Sequence, residues 1–323
     1  MGDKDIPRRF ALKTIAAGTL GSAGVRFSSE NVSARDTIEE GDSIGNRGSV
    51  ESADAGTTYH LEMGHGVEYI AELSNSDNTI VEHKIGYNSI AVNSKTISDD
   101  NWELTGSTES VSGQTMKIGT ENANTYLYVG QQDNLMYGAK PASDDSLSSD
   151  DLNAAKGIIQ TALGEMHPAY TLGVTVAQIQ ELLTDDPGDT SSDDSELYES
   201  TWNYGPTAQP SVPSQYAEFN VGPHDNCEPV QFYVTGSFGS YSAGRIGIKG
   251  TYRIDSVEDC GNLTQTQDVN LEENSQYTKL SENEVDSMNI SLEKFDGGPI
   301  YKSTNNKSVK LIDLEINTEP ADN

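Results

Sequence analysis

The sequence predicts a mainly β fold in which two antiparallel β regions, the second sandwich-like, flank a central helical hairpin. Three observations carry this. Residues 58–138 and 216–323 hold short apolar or alternating segments set apart by clusters of Asn, Asp, Ser and Gly, the pattern of strands and tight turns. Over about 150–184 the apolar spacing changes from two to that of a helix. Acidic and Pro-containing stretches separate these parts.

The chain opens with Arg8-Arg9-Phe10-Ala11-Leu12-Lys13, followed by the weakly apolar Thr14–Val25. A short cationic region, a modest apolar region and the small-residue exit Val32-Ser33-Ala34 read as an export signal over 1–34, cut after Ala34. Residues 35–57 are polar and rich in Gly and Ser, and read as a flexible lead-in. In the first β region, 58–138, strands are expected at Tyr59–Met63, Val67–Leu73, Thr79–Ile85, Ile90–Ile97, Met116–Ile118 and Tyr126–Val129.

Residues 139–204 read as acidic linkers around the helical hairpin. Leu152, Ala155, Ile158, Ile159, Ala162, Leu163 and Met166 follow helical spacing, with Ser148 or Ser149 as cap and His167-Pro168 as the end. A second helix begins at Thr175, with Gln178 completing a capping box and Val176, Ile179, Leu182 and Leu183 on one face. Such a hairpin either covers an open sheet face or inserts into a membrane surface; Lys156 is its only cation, which favours packing. Pro206, Pro210 and Pro213 stiffen a linker over 205–215. In the second β region, 216–323, strands are expected at Tyr216–Val221, Val230–Phe238, Arg245–Val257, Val269–Leu271, Met288–Phe295 and Val309–Ile316. The clearest is Arg245–Asp255: Ile246, Ile248, Gly250, Tyr252 and Ile254 face one way, and Arg245, Gly247, Lys249, Thr251, Arg253 and Asp255 the other.

The 323 residues carry 51 Asp and Glu against 20 Lys and Arg, a net charge of −31. Removing 1–34 takes away five cations and three anions and leaves −33. That balance excludes nucleic acid as a partner, which needs a basic footprint. No run of 18 apolar residues is present, which excludes a bundle of spanning helices. Alternating segments and 15 Tyr argue for a folded chain, and folding at this charge points to concentrated salt, where the Debye length falls to about 3 Å. The melting temperature is therefore expected to fall as NaCl is lowered from molar to millimolar; an unchanged melting curve refutes salt adaptation.

Cys227 and Cys260 are the only cysteines. In an exported chain they read as one disulfide; His224, three residues before Cys227, opens the alternative of a metal pair, but no second pair follows. Asn262, Asn289 and Asn306 head N-x-S/T sequons and are either glycosylation sites or the chance product of an Asn-, Ser- and Thr-rich composition. The chain holds no H-E-x-x-H, G-x-S-x-G, P-loop, G-x-G-x-x-G or C-x-x-C, so no catalytic residue and no cofactor is assigned. His60, His65 and His83 fall in one stretch, but their spacing fits no ligand rule and no metal is expected. Carboxylate pairs are too common to select an acid–base couple. Arg245, Lys249 and Arg253 stand out more: 88 residues without Lys or Arg precede three cations on one strand face. They form either a stripe that docks an anionic partner or a set of ion pairs with acidic neighbours across the sheet.

Arg8, Arg9, Leu12 and Lys13 resemble the twin-arginine export signal, with Ala11 where a Phe is usual. That resemblance implies a chain exported already folded, as is common in haloarchaea. Gly157–Leu183, Asp185–Ser200, Trp202-Asn203-Tyr204-Gly205 and Gln231–Thr235 resemble, in order, parts of halocin precursors, secreted antimicrobial proteins of haloarchaea. The resemblance implies a non-catalytic protein acting on a target at a neighbouring cell's surface. The alternative is an adhesion-type or surface-layer-associated glycoprotein, on the sequons and the strand pattern. A third reading is a secreted hydrolase with an unidentified carboxylate pair.

Overall fold

The computed structural model describes residues 37–76, 80–98, 101–106, 108–128, 136–139, 183–184, 189–190, 197–206, 209, 212–224, 228–255, 271, 274–288, 290, 295, 297–304 and 307–321. In chain order the strands are β1 (Thr37–Glu39), β2 (Ser43–Asp54), β3 (Thr57–Asn75), β4 (Val81–Ser98), β5 (Asn101–Leu104), β6 (Val111–Thr120), β7 (Thr125–Tyr128), β8 (Met136–Ala139) and β9 (Leu183–Thr184). They continue with β10 (Asp189–Thr190), β11 (Leu197–Asn203), β12 (Ser214–Pro223), β13 (Val230–Ser240), β14 (Gly244–Ile254), β15 (Tyr277–Lys279), β16 (Ile300–Ser303) and β17 (Ser308–Pro320). The one helix among the described residues is α1 (Glu282–Ser287).

The strands form a seven-stranded sheet, β1-β17-β14-β13-β6-β11-β10, and a ten-stranded sheet along β15-β16-β3-β4-β12-β8-β9, with β2, β5 and β7 added on β3, β4 and β12. Every pairing is antiparallel. Both β regions contribute to both sheets: β6 lies between β11 and β13, and β4 pairs with β12. The sandwich is therefore a joint product, not a property of the C-terminal stretch. Of the expected hairpin over 150–184, all but the last two residues lie outside the described residues. Those two, Leu183–Thr184, are not helical but a strand paired with Gly138 and Ala139.

The expected flexible lead-in is also corrected. Residues 43–54 form a 12-residue strand along β3. Its inward positions are Ile44, Asn46, Gly48, Val50 and Ser52, of which only two are large and apolar, so the period of two is faint. Gly48 lies close under the facing sheet: a Cβ there would stand 3.0 Å from side-chain atoms of both Ile246 and Ile316, which would have to shift by a few tenths of an ångström. Gly64 and Gly66 hid a second feature. The two strands expected at 59–63 and 67–73 are one 19-residue strand running through them, since glycine weakens a strand without ending it.

The core lies between the sheets in two clusters. One joins Val67, Tyr69, Ile85, Phe219 and Val221 to Met116, Ile118, Phe232, Tyr252 and Val309. Phe232 bridges the sheets within it, edge-on to Phe219 at 5.7 Å and stacked on Tyr252 at 5.4 Å; such contacts add about 0.5–1.5 kcal/mol each beyond area burial. The second cluster joins Leu61, Met63 and Ala91 to Phe238, Ile246 and Ile248. His65, Ser89, Gln114 and Gln215 are buried polar residues of the sandwich: Gln215 Nε2 donates to Ser89 Oγ at 2.7 Å, Gln114 Nε2 donates to the Ser214 carbonyl at 3.1 Å, and His65 Nε2 lies 3.3 Å from the Tyr252 hydroxyl. A smaller cluster packs Val285 of α1 with Leu280, Ile290, Phe295 and Ile300 against Ala71 and Leu73. A capping box starts α1: Ser281 Oγ accepts from Glu284 N, and Glu284 Oε2 accepts from Ser281 N at 2.8 Å.

Candidate functional site

The two sheets differ on their outer faces. The seven-stranded sheet turns a polar surface to solvent, and its register sorts that surface into rows. One row runs Glu199, Lys117, Thr235, Lys249, Glu315. The next runs Thr201, Thr115, Ser237, Gly247, Asn317, and a third runs Asn203, Gly113, Gly239, Arg245, Glu319. Seven of these fifteen positions are Gly, Ser or Thr, and the other eight are Asn or charged.

Arg245, Lys249 and Arg253 do share this face, as their alternation requires. Two of them are engaged within the chain. Lys249 Nζ lies 2.9 Å from Glu121 Oε1, 3.9 Å from Glu315 Oε1 and 4.7 Å from the centre of the Tyr233 ring. The hydrogen bond that the ammonium donates to Glu121 holds its pKa above its ordinary value. Arg253 Nε donates to Asp255 Oδ1 at 2.6 Å. Lys117, on the same face, pairs with Glu199 at 2.9 Å. Arg245 behaves differently. Glu319 is its register partner on β17, yet the Arg245 side chain runs the other way, across Gly239 on β13: its Cγ and Nε lie 3.5 and 3.7 Å from where a Gly239 Cβ would stand. Arg245 is exposed and makes no ion pair among the described residues.

The outer face of the ten-stranded sheet is buried over β4 and β12 and exposed at Ser49, Glu51 and Ala53 of β2. Glu62, Glu82, Lys84, Asn88, Ile90, Tyr216, Glu218 and Asn220 on it are all under 9% exposed. Glu68 on β3 and Glu218 on β12 flank Gly86 of β4 in one row, about 10 Å apart at their Cα atoms by strand spacing. Burial, and then the charge of Glu218, push Glu68 up to about 7. Glu218 has both oxygens occupied: Oε2 takes Lys84 Nζ at 2.7 Å, and Oε1 accepts from the Tyr216 hydroxyl at 2.5 Å. Lys84 Nζ also donates to the Met288 carbonyl just beyond α1. Farther along, Glu82 accepts from Asn220 Nδ2 at 2.7 Å and the Tyr126 hydroxyl at 3.2 Å. Sequence reasoning missed this carboxylate cluster because nothing marks these acids among so many. The available signal was the run Tyr216-x-Glu218-x-Asn220 on one face of a strand whose other face is apolar. Chemically the cluster is a buried cross-link of β4, β12 and the segment after α1.

The histidines are dispersed. His60 bonds Thr96 Oγ1 and Glu51. His65 stands opposite Ser89, and His83 opposite Glu72, about 20 Å apart along the strands. Among the described residues no group of three or more His, Cys, Asp or Glu is arranged to hold a metal. Arg8, Arg9, Leu12, Lys13, Ala34, Cys227, Cys260, Asn262, Asn289 and Asn306 lie outside the described residues. Of the Trp202-Asn203-Tyr204-Gly205 motif, Trp202 is a core residue of β11, and Tyr204 packs against both core clusters. No helix among the described residues is long and apolar enough to cross a membrane.

No protein-family model and no curated protein matches the chain. Among solved structures it is similar to the KRT10-binding region domain of the pneumococcal serine-rich repeat protein PsrP, at 10% identity over 63% of this chain and 89% of that one, with a TM-score of 0.24. It is similar to a structure described as a pore-forming protein, at 8% identity over 91% and 94%, with a TM-score of 0.23. It is also similar to the N-terminal domain of the Streptococcus gordonii adhesin Sgo0707, at 10% identity over 87% and 73%, with a TM-score of 0.15. At such scores the fold rests on the strand pairing itself.

Proposed function

We propose that the chain is an exported, non-catalytic binding protein of the adhesion type, which docks on a cell-surface partner through the outer face of the seven-stranded sheet. The observation that carries this is the asymmetry of the sandwich. One outer face is buried over β4 and β12, whereas the other is a five-strand-wide polar surface that is partly exposed, with most of its cations already neutralised by its own acids. Such a surface supports docking in brine, where long-range attraction is screened and contact area and hydrogen bonds decide affinity. The antimicrobial reading draws on Gly157–Leu183, Asp185–Ser200, Trp202-Asn203-Tyr204-Gly205 and Gln231–Thr235, and most of the first two segments lie outside the described residues.

The test is binding of the labelled, processed chain to whole haloarchaeal cells in molar NaCl. Saturable binding that Thr235→Trp, at the centre of the face, weakens without lowering the melting temperature supports the proposal. Absence of saturable binding, or indifference to Thr235→Trp, overturns it. Clearing of a lawn of related cells by the same preparation replaces adhesion with killing.

A further inference from the structure

We infer that the far edge of β17 is a strand-docking surface, and that its occupant in the uncut chain is the end of the leader, residues 28–36, which the cut after Ala34 takes away. The inference rests on the export reading for that cut and does not involve the docking face.

β17 is 13 residues long, and β14 pairs with it from Val309 to Pro320. On its other side β1 covers only Ser308, Val309 and Lys310. From Leu311 to Pro320 that edge has no partner among the described residues. The strands that end the two sheets elsewhere, β10, β15 and β9, are two or three residues long, as edges usually are. β2, the other long strand with one paired neighbour, is engaged further at Ser43, Arg47, Ser52 and Ala53. The core is also unfinished along the open edge. Leu311, Leu314 and Ile316 pack against the two core clusters but are only partly buried, and Ile312 is 45% exposed. One more strand would give the backbone its partners and these side chains their cover.

The chain itself is aimed along this edge. β1 runs antiparallel to β17, with Ile38 opposite Val309 and Thr37 opposite Lys310. Continued upstream in the same direction, it passes Leu311 toward Pro320. Asp36 meets the bulge at Leu311-Ile312, and beyond it the match of inward with inward positions sets the register. Ala34 then falls opposite Leu314, Val32 opposite Ile316 and Glu30 opposite Thr318. On the solvent side Arg35 falls opposite Asp313, Ser33 opposite Glu315, Asn31 opposite Asn317 and Ser29 opposite Glu319. Val32 and Ala34, the only apolar residues of the segment, meet the partly buried apolar residues of the edge. Its only cation meets an acid, and no like charges stand opposite. A second copy of β17 fits less well: with Ile316 on Ile316, Asp313 faces Glu319, and with Glu315 at the centre it faces itself.

The twin-arginine resemblance implies a chain that folds with residues 1–34 still attached, so leader and edge coexist before the cut. Pairing then shields an edge that otherwise templates association. Cutting requires the strand to peel, which a terminal edge strand does at low cost. Afterwards Arg35 and Asp36 alone continue β1, and the edge from Asp313 onward is open to a partner's strand outside the cell.

Hydrogen exchange in molar NaCl, read by mass spectrometry on the uncut chain and on the chain starting at Arg35, tests this. Amides over Asp313–Glu319 are expected to exchange about tenfold or more slowly in the uncut chain, with β13 unchanged. Val32→Pro, which removes a donor and breaks the strand, should return the uncut chain to the rate of the cut one. Arg35→Glu, a like charge opposite Asp313, should lose part of the protection. Equal exchange in the two chains, or indifference to Val32→Pro, overturns the inference; equal protection that grows with protein concentration assigns the edge to a second copy instead. N-terminal sequencing of the exported chain separates the two readings: a start other than Arg35, with protection intact in the uncut chain, removes the cut and leaves the leader as occupant of the edge.

Discussion

Lys84→Met is expected to destabilise the protein by about 3–5 kcal/mol, the usual result of leaving one buried charge without its partner. Lys84 and Glu218 are respectively 2% and 6% exposed, and their charged atoms are 2.7 Å apart. Methionine keeps the length and apolar stem of Lys84, so the change isolates the ammonium. Its loss strands the Glu218 carboxylate with Tyr216 as its remaining bond, and removes the donor to the Met288 carbonyl that ties the end of α1 to the sheet. Chemical denaturation of the variant and of Lys84→Met/Glu218→Leu/Tyr216→Phe measures this. The triple variant, which removes the whole polar set, should recover most of the loss, because an ion pair taken out of water contributes little net stability. A second readout follows from Glu68, whose carboxyl is raised partly by the charge of Glu218. Glu218→Gln should bring the Glu68 titration down from about 7 toward the ordinary carboxylate range in a carboxyl-carbon NMR titration. A Lys84→Met variant as stable as the parent would mean that the pair is solvated.

The sequence made some of this legible and left the rest to register. The faces of β14 could be read because five inward positions in a row are apolar or glycine: Ile246, Ile248, Ile254 and Tyr252 are each 1% exposed or less. β2 was hidden because its inward positions are mostly Asn, Gly and Ser, chosen by the proximity of the other sheet, which no local pattern reveals. The capping box of α1, Ser281-x-x-Glu284, was present in the sequence and went unread because so few apolar residues follow it. The Lys84–Glu218 pair had no local signal, since its members are 134 positions apart in the numbering and meet only through the pairing of β4 with β12. The face carrying Arg245, Lys249 and Arg253 was legible from alternation; that Arg245 lies over Gly239 was not, because the hairpin register, not the spacing of cations, decides it. The helical periodicity of 150–184 is a real feature of the sequence, but Leu183 shows that it does not hold to its end: there pairing with β8 overrides local pattern.

Acid should lower the stability of this protein along two limbs, and their slopes follow from two buried histidines and the half-buried Glu68, which act with opposite sign. His65 and His83 are held neutral, each with its pKa lowered to about 3, chiefly by burial and for His83 also by the charge of Lys307. His65 has the Tyr252 hydroxyl at 3.3 Å from Nε2 and no protein partner at Nδ1, so nothing offsets an imidazolium charge there. The unfolded chain binds these two protons near pH 6.5 and the folded chain does not, so each histidine withdraws stability as pH falls from 6.5 toward 3, about 2 kcal/mol apiece by pH 5. Glu68 acts in reverse. Its folded pKa of about 7 lies above its ordinary 4.5, so the folded chain binds the extra proton and gains stability as pH falls through that interval, up to about 3 kcal/mol. Glu72, also raised by burial, has the same sign. From pH 6.5 to 4.5 the gain at Glu68 offsets a little over half of the loss at the two histidines, and the decline should be shallower than below 4.5. Below 4.5 the carboxylate contribution is complete while the histidines continue to lose, and the decline should steepen. Denaturant midpoints from pH 8 to 3 at constant molar salt test this. Glu68→Gln should raise stability at pH 8 and move the onset of the decline up to about 6.5, because the compensating proton is gone. His83→Gln should flatten the limb below 4.5. A Glu68→Gln curve parallel to the parent's throughout would show that Glu68 titrates alike in both states, and with it the buried charge of Glu218 would lose its place in the account.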